Sequence, residues 1–490
     1  MPVSHNYLAI DLGAESGRAI VASLGDHNLT FNEVHRFSNG PVRLNDGIHW
    51  DVLRLWKEIK TGIASAIKSG MKLDSIGLDT WGVDFALLDK NGALISNPFH
   101  YRDARTDGIL KEAFQRMPRA EIFANTGIQF MQINTLYQLL AMSIQQSPLL
   151  DLAETFVTIP DLFNYWLSGE ITNEFTISTT TQCLDPFQRG WSAPVLQAMG
   201  IPVHLFGTIT DPGTVVGDLL PYVVDETGAE NARVILPACH DTGSAVAAIP
   251  AQNPNFAWIS SGTWSIMGAE VSEPCVDEKT LRYNFTNEGG VSGTWRLSKN
   301  IIGLWLVQEC KRTWAHQGED LSYDEITHLA AEAKPFVAVI DPDHSDFLLP
   351  GDMPERIRAY CARTNQTLPQ TKGEVVRIVL ESIALKYRWV LEKLEEVTAT
   401  QFTPVHIIGG GTKNRLLNQF TADATKRAVV AGPVEATAIG NVLMQAIALD
   451  HLGSLDDART LVRASFQVEE YHPAQRAGWE EAYEKLQRLV

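Results

Sequence analysis

The chain has 490 residues, more than one ordinary hydrophobic core accommodates, so two domains are expected. Hydrophobic residues make up 45% and charged residues 20%, a globular composition, and 40 basic against 58 acidic side chains leave a formal charge of −18. That balance argues against a nucleic-acid or anionic-membrane partner, and any phosphate group must be attracted by local amides, a metal or a few basic side chains. Neither a leader pattern nor an apolar run long enough to span a bilayer is found, so no membrane association is expected. Five scattered cysteines (Cys183, Cys239, Cys275, Cys310, Cys361), odd in number and without a C-x-x-C, predict no disulfide framework or structural metal site. The reducing cytosol is the expected compartment.

In chain order, the apolar runs 7–10 and 19–22 flank Asp11, Gly13, Ser16 and Gly17, which reads as strand, tight turn and strand. Gly13 and Gly17 would let the backbone approach a ligand and form an anion-holding nest, and Asp11 at the strand end could reach a hydrated Mg²⁺. An ordinary glycine hairpin is the alternative. Residues 29–37 alternate as a third strand, and residues 51–69 carry Val52, Leu55, Trp56, Ile59, Ile63, Ala66 and Ile67 at helical spacing. A buried strand is expected at 74–79, running into a turn at 80–84, with a further strand at 85–89 and a hairpin turn at Lys90-Asn91-Gly92. Residues 106–169 read as mainly helical, 170–185 as strand and loop with Thr179, Thr180 and Thr181 in a polar turn, and 194–205 as a short helix. An apolar strand at 234–238 enters His240-Asp241.

Pro250-Ala-Gln-Asn-Pro254 is the best linker, giving domains at 1–249 and 255–490. Beyond it, residues 256–269 repeat the strand, glycine turn and strand of the opening, so an internal duplication is expected, one half per domain with a cleft between them. Helices are expected at 301–314, 374–398, 418–425 and 435–448, and strands at 405–408 and 428–431. Strands and helices alternating in this way predict an α/β fold.

The sequence contains no G-x-x-x-x-G-K-[S/T], no G-x-G-x-x-G and no H-R-D with D-F-G, which sets aside P-loop, dinucleotide-fold and protein-kinase chemistry. Phosphate handling would then rest on residues 13–18, Gly262-Thr263 and the glycine turn 409–411. At His240-Asp241-Thr242 a strand ends and a helix of small residues begins, so Asp241 or Thr242 lies near a helix N-cap. A cap worth about 1 kcal/mol is the plain reading; an aspartate poised to take a hydroxyl proton is the chemical one. Cys239 and His240 are neighbours on a strand and point to opposite faces, so they form no nucleophile pair. Tyr101, Arg102, Asp103 and Arg105 read as a charged group paired within itself or lining a cleft.

These motifs form a set. The residue 7–23 hairpin, Asp79-Thr80-Trp81-Gly82-Val83-Asp84, Cys239-His240-Asp241-Thr242-Gly243, Ser260-Ser261-Gly262-Thr263-Trp264 and Gly409-Gly410-Gly411-Thr412-Lys413-Asn414 resemble, in order and spacing, the FGGY carbohydrate kinases. Their ATPase core is shared with actin, hexokinase and Hsp70, and the resemblance covers essentially the whole chain. It implies an α/β fold of two ribonuclease-H-like domains flanking a central cleft, the N-terminal domain binding sugar and phosphate and the C-terminal one the nucleotide. It further implies ATP as donor, Mg²⁺ as cofactor bound at Asp11, and Asp241 as catalytic base. Sugar contacts fall by resemblance on Trp81, Gly82, His240, Asp241, Thr242 and Asn300, and nucleotide contacts on Ala14, Glu15, Ser16, Gly17, Arg18, Thr263, Gln308 and Gly410.

Residues 80–85, 101–105, 134–139 and 299–305, with Asn300 expected on a helix, carry a closer likeness, which implies L-rhamnulose phosphorylated at its C1 hydroxyl. Another ketose, such as L-fuculose or L-xylulose, is the alternative, and a nucleotide switch without transfer is the rival outside catalysis. Trp81 or Phe85 would supply an apolar wall for the deoxy methyl group, although only one of them can face the sugar. Glu15 departs from the family pattern, in which a small hydroxyl residue is common, and would repel phosphates unless it faces solvent or metal. Thr412, Thr421 and Thr425 stand where some relatives carry cysteines, so no disulfide is expected there. The expected partners are a small sugar and ATP, in a cytoplasmic monomer or small homo-oligomer.

Overall fold

In the computed structural model, which describes residues 5–25, 28–474 and 477–490, the strand His5–Leu12 is the centre of a six-stranded sheet. Residues 1–4 of the first expected domain lie outside the described residues. The strand order is Val215–Asp218, Arg233–Ile235, Ser75–Thr80, His5–Leu12, Ser16–Leu24, Leu29–Ser38. His5–Leu12 pairs antiparallel with Ser16–Leu24 and parallel with Ser75–Thr80, and Ser75–Thr80 pairs parallel with Arg233–Ile235. Both faces are covered, which is why the central strands are buried almost along their whole length instead of alternating. One face carries Leu8, Ile10, Ile76 and Leu78 against Val52, Leu55, Ile59 and Ile63 of the helix Val52–Lys68, whose first turn Asp51 caps. The opposite face holds a buried polar ladder. Ser75 Oγ donates to Gln445 Oε1 (2.7 Å), Asn441 Nδ2 donates to Asp79 Oδ2 (2.6 Å), and Gly77 between them leaves room for both amides. Asn441 and Gln445, one helical turn apart on Ala436–Ala448, thus run along alternate residues of one strand.

The chain divides into two compact units that do not follow it linearly. One comprises Met1–Pro250, Val271–Leu297 and Ala436–Phe466; the other comprises Ala251–Glu270, Ser298–Glu435 and Gln467–Val490. A second, seven-stranded sheet has the order Thr286–Gly289, Trp295–Ile302, Trp264–Val271, Ala257–Ser261, Val405–Ile408, Val429–Ala431, Glu469–Tyr471. Ala257–Ser261 pairs antiparallel with Trp264–Val271 and parallel with Val405–Ile408, which in turn pairs parallel with Val429–Ala431. Each pairing has its counterpart in the first sheet, so the duplicated plan is carried by topology even where few residues repeat. The helix Lys372–Thr398 starts from a capping box of Thr371 and Glu374 and buries Val375, Val379, Ile383 and Val390.

Several local expectations are corrected. Asn300 lies on the strand Trp295–Ile302, and the next helix is Trp305–His316. The β-branched Ile301 and Ile302 extend the strand, and Gly303 marks the change of direction. Phe85–Leu88 pairs with Thr155–Thr158, and the chain returning from Lys90-Asn91-Gly92 makes one bridge, Leu88 to Leu94, in place of a full hairpin. Within 170–185 a one-turn helix, Phe175–Thr179, is present, and Thr179, Thr180 and Thr181 are buried. Phe85 packs with Leu136 and Phe156 in the helical core of residues 109–205, away from Trp81, which belongs to the sheet core, so only Trp81 is left as a wall. In the charged group at 101–105, Arg105 donates to Gln138 Oε1 (2.6 Å) and lies over Phe99, Asp103 accepts from Ile48 N (2.8 Å), and Arg102 lies over the Tyr101 ring.

The helix Asp241–Ala247 crosses Ala436–Ala448 so closely that a methyl added at Gly440 would overlap the Ser244 carbonyl oxygen. Helix propensity favours alanine there by about 1 kcal/mol, but overpacking costs about 1–3 kcal/mol and forces apart the helices behind Asp241. Gly440→Ala is therefore expected to lower the denaturant midpoint of unfolding; a raised midpoint would refute the close crossing.

Candidate active site

Three aspartates come together in the first unit. The parallel register sets Asp11 opposite Asp79, and a bridge from Thr80 to His240, with Thr80 N donating to Cys239 O (2.9 Å), brings in Asp241. Arg18, opposite Asp11 across the hairpin, donates through Nη2 to Asp11 Oδ2 (2.5 Å). Asp79 is fully buried, and among the described residues its Oδ1 has no hydrogen-bond partner. Burial, reinforced by the charges of Asp11 and Asp241, drives its carboxyl well above the usual carboxylate range, with the Asn441 hydrogen bond pulling the other way.

Asp241 keeps 31% of its side chain exposed. Its Oδ1 accepts Thr242 N (2.5 Å) and Thr242 Oγ1 (3.0 Å), and among the described residues no hydrogen bond to the other oxygen, Oδ2, is found. His240 is the N-cap and Asp241 the first helical residue, so the aspartate is favourably placed in the helix dipole. Side chains remote in sequence hold this corner. Glu174 Oε2 accepts Cys239 N (3.3 Å), and Thr176 Oγ1 accepts His240 N (3.2 Å) while donating to Glu174 Oε2 (2.7 Å). Burial pushes the Glu174 carboxyl up to about 8 against those hydrogen bonds. His240 Nδ1 lies 3.3 Å from Glu288 Oε2 and 3.1 Å from Arg296 Nη2. Burial opposes ionisation of Glu288, yet His240 and Arg296 hold its carboxyl below the usual range. Glu174, Glu288 and Arg296 carry no sequence signal tying them to His240.

Trp81 is 6% exposed and stacks on Trp50, ring centroids 4.0 Å apart. Gly82 leaves no room for more: a methyl there would sit 3.2 Å from Thr180 Oγ1. Val83 takes φ +69°, a costly conformation for a β-branched residue. It is imposed by Thr180 Oγ1 accepting Val83 N (3.2 Å) and by Thr135 Oγ1 donating to Val83 O (2.5 Å). In the hairpin, Gly13 N donates to Ser16 O (2.9 Å), Ala14, Ser16 and Arg18 are part-buried, and Gly17 is buried under Phe37. Glu15 is exposed, so its carboxylate has water within reach.

The second unit gathers the remaining candidates by itself. Leu304 N and Trp305 N donate to the carbonyls of Gly262 and Thr263 (both 3.0 Å), which fixes the second hairpin on the start of the helix carrying Gln308. Gly303 permits this: an added methyl would lie 2.9 Å from Gly262 O. Gln308 and Asn300 are both part-buried. Beside Asn300, Lys299 is buried, and burial pushes its amine down to about 8 while Asp343 holds it up. In the glycine turn, Gly409 has φ +83° and Gly411 packs on Ser261, whereas Gly410 is exposed with open space around it.

The residues at the acidic edge suit a hard cation: Asp79 Oδ1 is an unpartnered buried oxygen, and Asp11 and Asp241 are oxygen donors nearby. Among the described residues no group of three His, Cys, Asp or Glu side chains closes around a common metal position. Such oxygen donors would suit a hydrated divalent cation such as Mg²⁺, and Asp11 and Asp79 are the residues that would hold it.

Residues 6–248 match the N-terminal domain, and residues 257–449 the C-terminal domain, of the FGGY family of carbohydrate kinases. The chain belongs to that family. It is 42% identical over 488 residues to a rhamnulokinase of Bacteroides thetaiotaomicron, covering 100% of both chains, and 42% identical over 464 residues to one of Oceanobacillus iheyensis, covering 95% of this chain and 97% of that one. Its fold is that of a gluconate kinase from Lactobacillus acidophilus (TM-score 0.81, 16% identity, 99% of this chain and 96% of that one). A glycerol kinase from Plasmodium falciparum solved with ADP matches similarly (TM-score 0.78, 15% identity, 99% and 96%). The expected two-domain, actin-like ATPase fold is thereby established, and this FGGY kinase is an ATP-dependent phosphotransferase. No helix among its described residues is long and apolar enough to cross a membrane, and all five cysteines are free.

The glycine turn makes a two-sided test. Gly410→Ala should leave the unfolding midpoint unchanged and raise KM for ATP several-fold, because a methyl there meets no protein atom and only a nucleotide lying on the turn would feel it. Gly411→Ala should lower the midpoint through overlap with Ser261. Equal effects of the two on stability, or an unchanged KM for ATP in Gly410→Ala, would count against nucleotide at Gly410.

Proposed function

We propose that the protein transfers the γ-phosphoryl group of ATP to the C1 hydroxyl of L-rhamnulose, giving L-rhamnulose 1-phosphate and ADP. The observation that carries the chemistry is the free Oδ2 of Asp241, presented by a strand-to-helix corner while Oδ1 is occupied by Thr242. A sugar hydroxyl is a poor nucleophile, and a carboxylate within hydrogen-bond reach accepts its proton as it attacks phosphorus. The sugar itself is supported by near full-length likeness to rhamnulokinases at about two residues in five.

In this reading Asp241 Oδ2 takes the C1 hydroxyl proton, while His240 and Thr242 orient the sugar beside it. Trp81 and Gly82 bound one side of the ring, and Asn300 binds a hydroxyl. Residues 1–249 hold the sugar and one phosphate element, and residues 255–490 hold the nucleotide through Thr263, Gln308 and Gly410. Amides of residues 14–18 bind phosphate oxygens, and Glu15 turns outward to water. Asp11 would hold a Mg²⁺ bound with ATP, which would neutralise charge on the phosphates. The protein acts as a cytosolic monomer or small homo-oligomer on small molecules alone.

Asp241→Asn keeps an oxygen for Thr242 and should therefore keep the fold, but kcat should fall by about 10²–10⁴, equivalent to about 3–5 kcal/mol of barrier, with KM for ATP little changed. Turnover within threefold of the parent would remove Asp241 from the role of base. In a coupled assay over ketoses, kcat/KM for L-rhamnulose should exceed that for D-fructose by at least about tenfold, since one methyl-for-hydroxyl exchange is worth about 1–3 kcal/mol. L-Fuculose should be the nearest competitor, and phosphorus–carbon coupling in NMR should report phosphate on C1. A preference for D-fructose or glycerol would replace the sugar in this reading and leave the role of Asp241 intact.

A further inference from the structure

One buried charge in the first unit is absorbed by neither the fold nor the phosphoryl chemistry. Asp84 is 2% exposed and accepts four hydrogen bonds: Trp50 Nε1 (2.6 Å), Trp81 Nε1 (2.9 Å) and Tyr101 N (3.3 Å) on Oδ2, and Gln138 Nε2 (3.0 Å) on Oδ1. Gln138 is held in turn by Arg105 Nη2 on its Oε1 (2.6 Å), so its amide can only present N–H groups to the carboxylate. A neutral side chain of the same shape would satisfy at most two or three of these donors and strand the rest. The group that gains most from a full carboxylate here is the indole of Trp81. It is pinned at its nitrogen by Asp84 and on its face by Trp50, and the backbone that follows it is forced through the positive φ of Val83.

We propose that Asp84 is a positioning residue for sugar selectivity, fixing the Trp81 indole in one orientation so that the Trp81–Gly82 turn presents a rigid apolar wall to the deoxy end of the ketose. This rests on the reading of Trp81 as a sugar contact. Rigidity matters because the difference between a methyl and a hydroxymethyl end is small in free energy, and an indole free to rotate would yield to the larger group. Arg105 and Gln138 act one step further out, keeping the carboxylate ionised and turned toward the two indoles.

The groups facing Asp84 define how it titrates. Arg105 is the cation near it and is itself pushed down to about 10 by burial, Tyr101 lies against it, His100 stacks on Trp50 and Tyr101, and Asp103 lies beside Arg105. Burial raises the Asp84 carboxyl to about 6, with Gln138, Trp50, Trp81 and Arg105 restraining the shift. A proton taken up on the carboxylate places a donor among donors, so the wall loosens as pH falls through that value.

The experiment compares sugars and pH in the full-length protein. In Asp84→Asn the ratio of kcat/KM for the best ketose to that for D-fructose should fall at least fivefold, through KM for the sugar, with kcat within about threefold and KM for ATP unchanged. A parallel loss on both sugars, leaving the ratio as in the parent, would overturn the proposal and mark Asp84 as structural. The parent enzyme gives a second measurement that needs no variant to fold: KM for the best ketose should rise as pH falls from 7 to 5, independently of kcat. A flat KM over that range would overturn the proposal. If the parent prefers a ketose other than L-rhamnulose, the substrate reading fails alone, because the change in ratio is taken against whichever sugar the parent prefers.

Discussion

The register between His5–Leu12 and Ser75–Thr80 sets Asp11 against Asp79, and the rest of the first unit is arranged around that pairing. Two carboxylates at neighbouring ends of parallel strands repel each other, and a slip of one residue would send one of them to the other face of the sheet. Both are retained because each is answered from a different direction. Arg18 answers Asp11 across the hairpin, and Asn441 answers Asp79 from a helix more than three hundred residues further along. That second answer explains why the unit takes back Ala436–Phe466 after the chain has left it. The helix Ala436–Ala448 is dense in small residues because it must lie close to both Ser75–Thr80 and Asp241–Ala247, and its two amides, Asn441 and Gln445, are the polar groups its buried face can satisfy.

What the sequence discloses follows from the range of the interactions. The strand–glycine–strand units at 7–23 and 256–269, the amphipathic helix after Asp51 and the small-residue helix after His240 are local patterns, and each is legible from periodicity and turn residues alone. Asp241 stands out because a strand end and a helix start converge on it within four residues. Glu174, Glu288 and Arg296 do not, because Glu174 reaches Cys239 from 65 residues away, Glu288 and Arg296 reach His240 from 48 and 56 residues away, and all three look like ordinary charged residues in strands and loops. Asn300 is misassigned for a related reason: its helical neighbours begin only after Gly303, and a short apolar stretch gives strand and helix the same signature. Arg105 and Asp103, two residues apart, invite pairing with each other, whereas the guanidinium lies over Phe99 and donates to Gln138.

The two sheets share their pairings yet use their first turns differently. Beside the first turn, charge faces charge across the hairpin, Asp11 against Arg18; beside the second, Ser261 faces Ser265, and Ser265 Oγ meets the phenol of Tyr387 at 2.6 Å. A charged cross-strand pair holds its partners by electrostatics in addition to the ladder hydrogen bonds. The second turn is held by geometry, with amides of the following helix on its two carbonyls and Gly303 and Gly411 admitting backbone where any side chain would collide. One backbone plan thus supplies a polar corner in the first unit and a rigid corner in the second.

The same logic separates Asp79 from Asp84, two aspartates five residues apart and equally buried. Asp79 has one hydrogen bond and an unpartnered oxygen beside two other carboxylates, so burial and those neighbouring charges set its ionisation. Asp84 has four donors from four separate segments and a guanidinium behind them, so its ionisation is set by the fold. A buried carboxylate with an unfilled site is open to a ligand, whereas one that is filled on every side fixes its donors in place. On that distinction the turn from Asp79 to Asp84 joins two kinds of buried carboxylate, one with an oxygen left unfilled and one whose donors are all fixed in place.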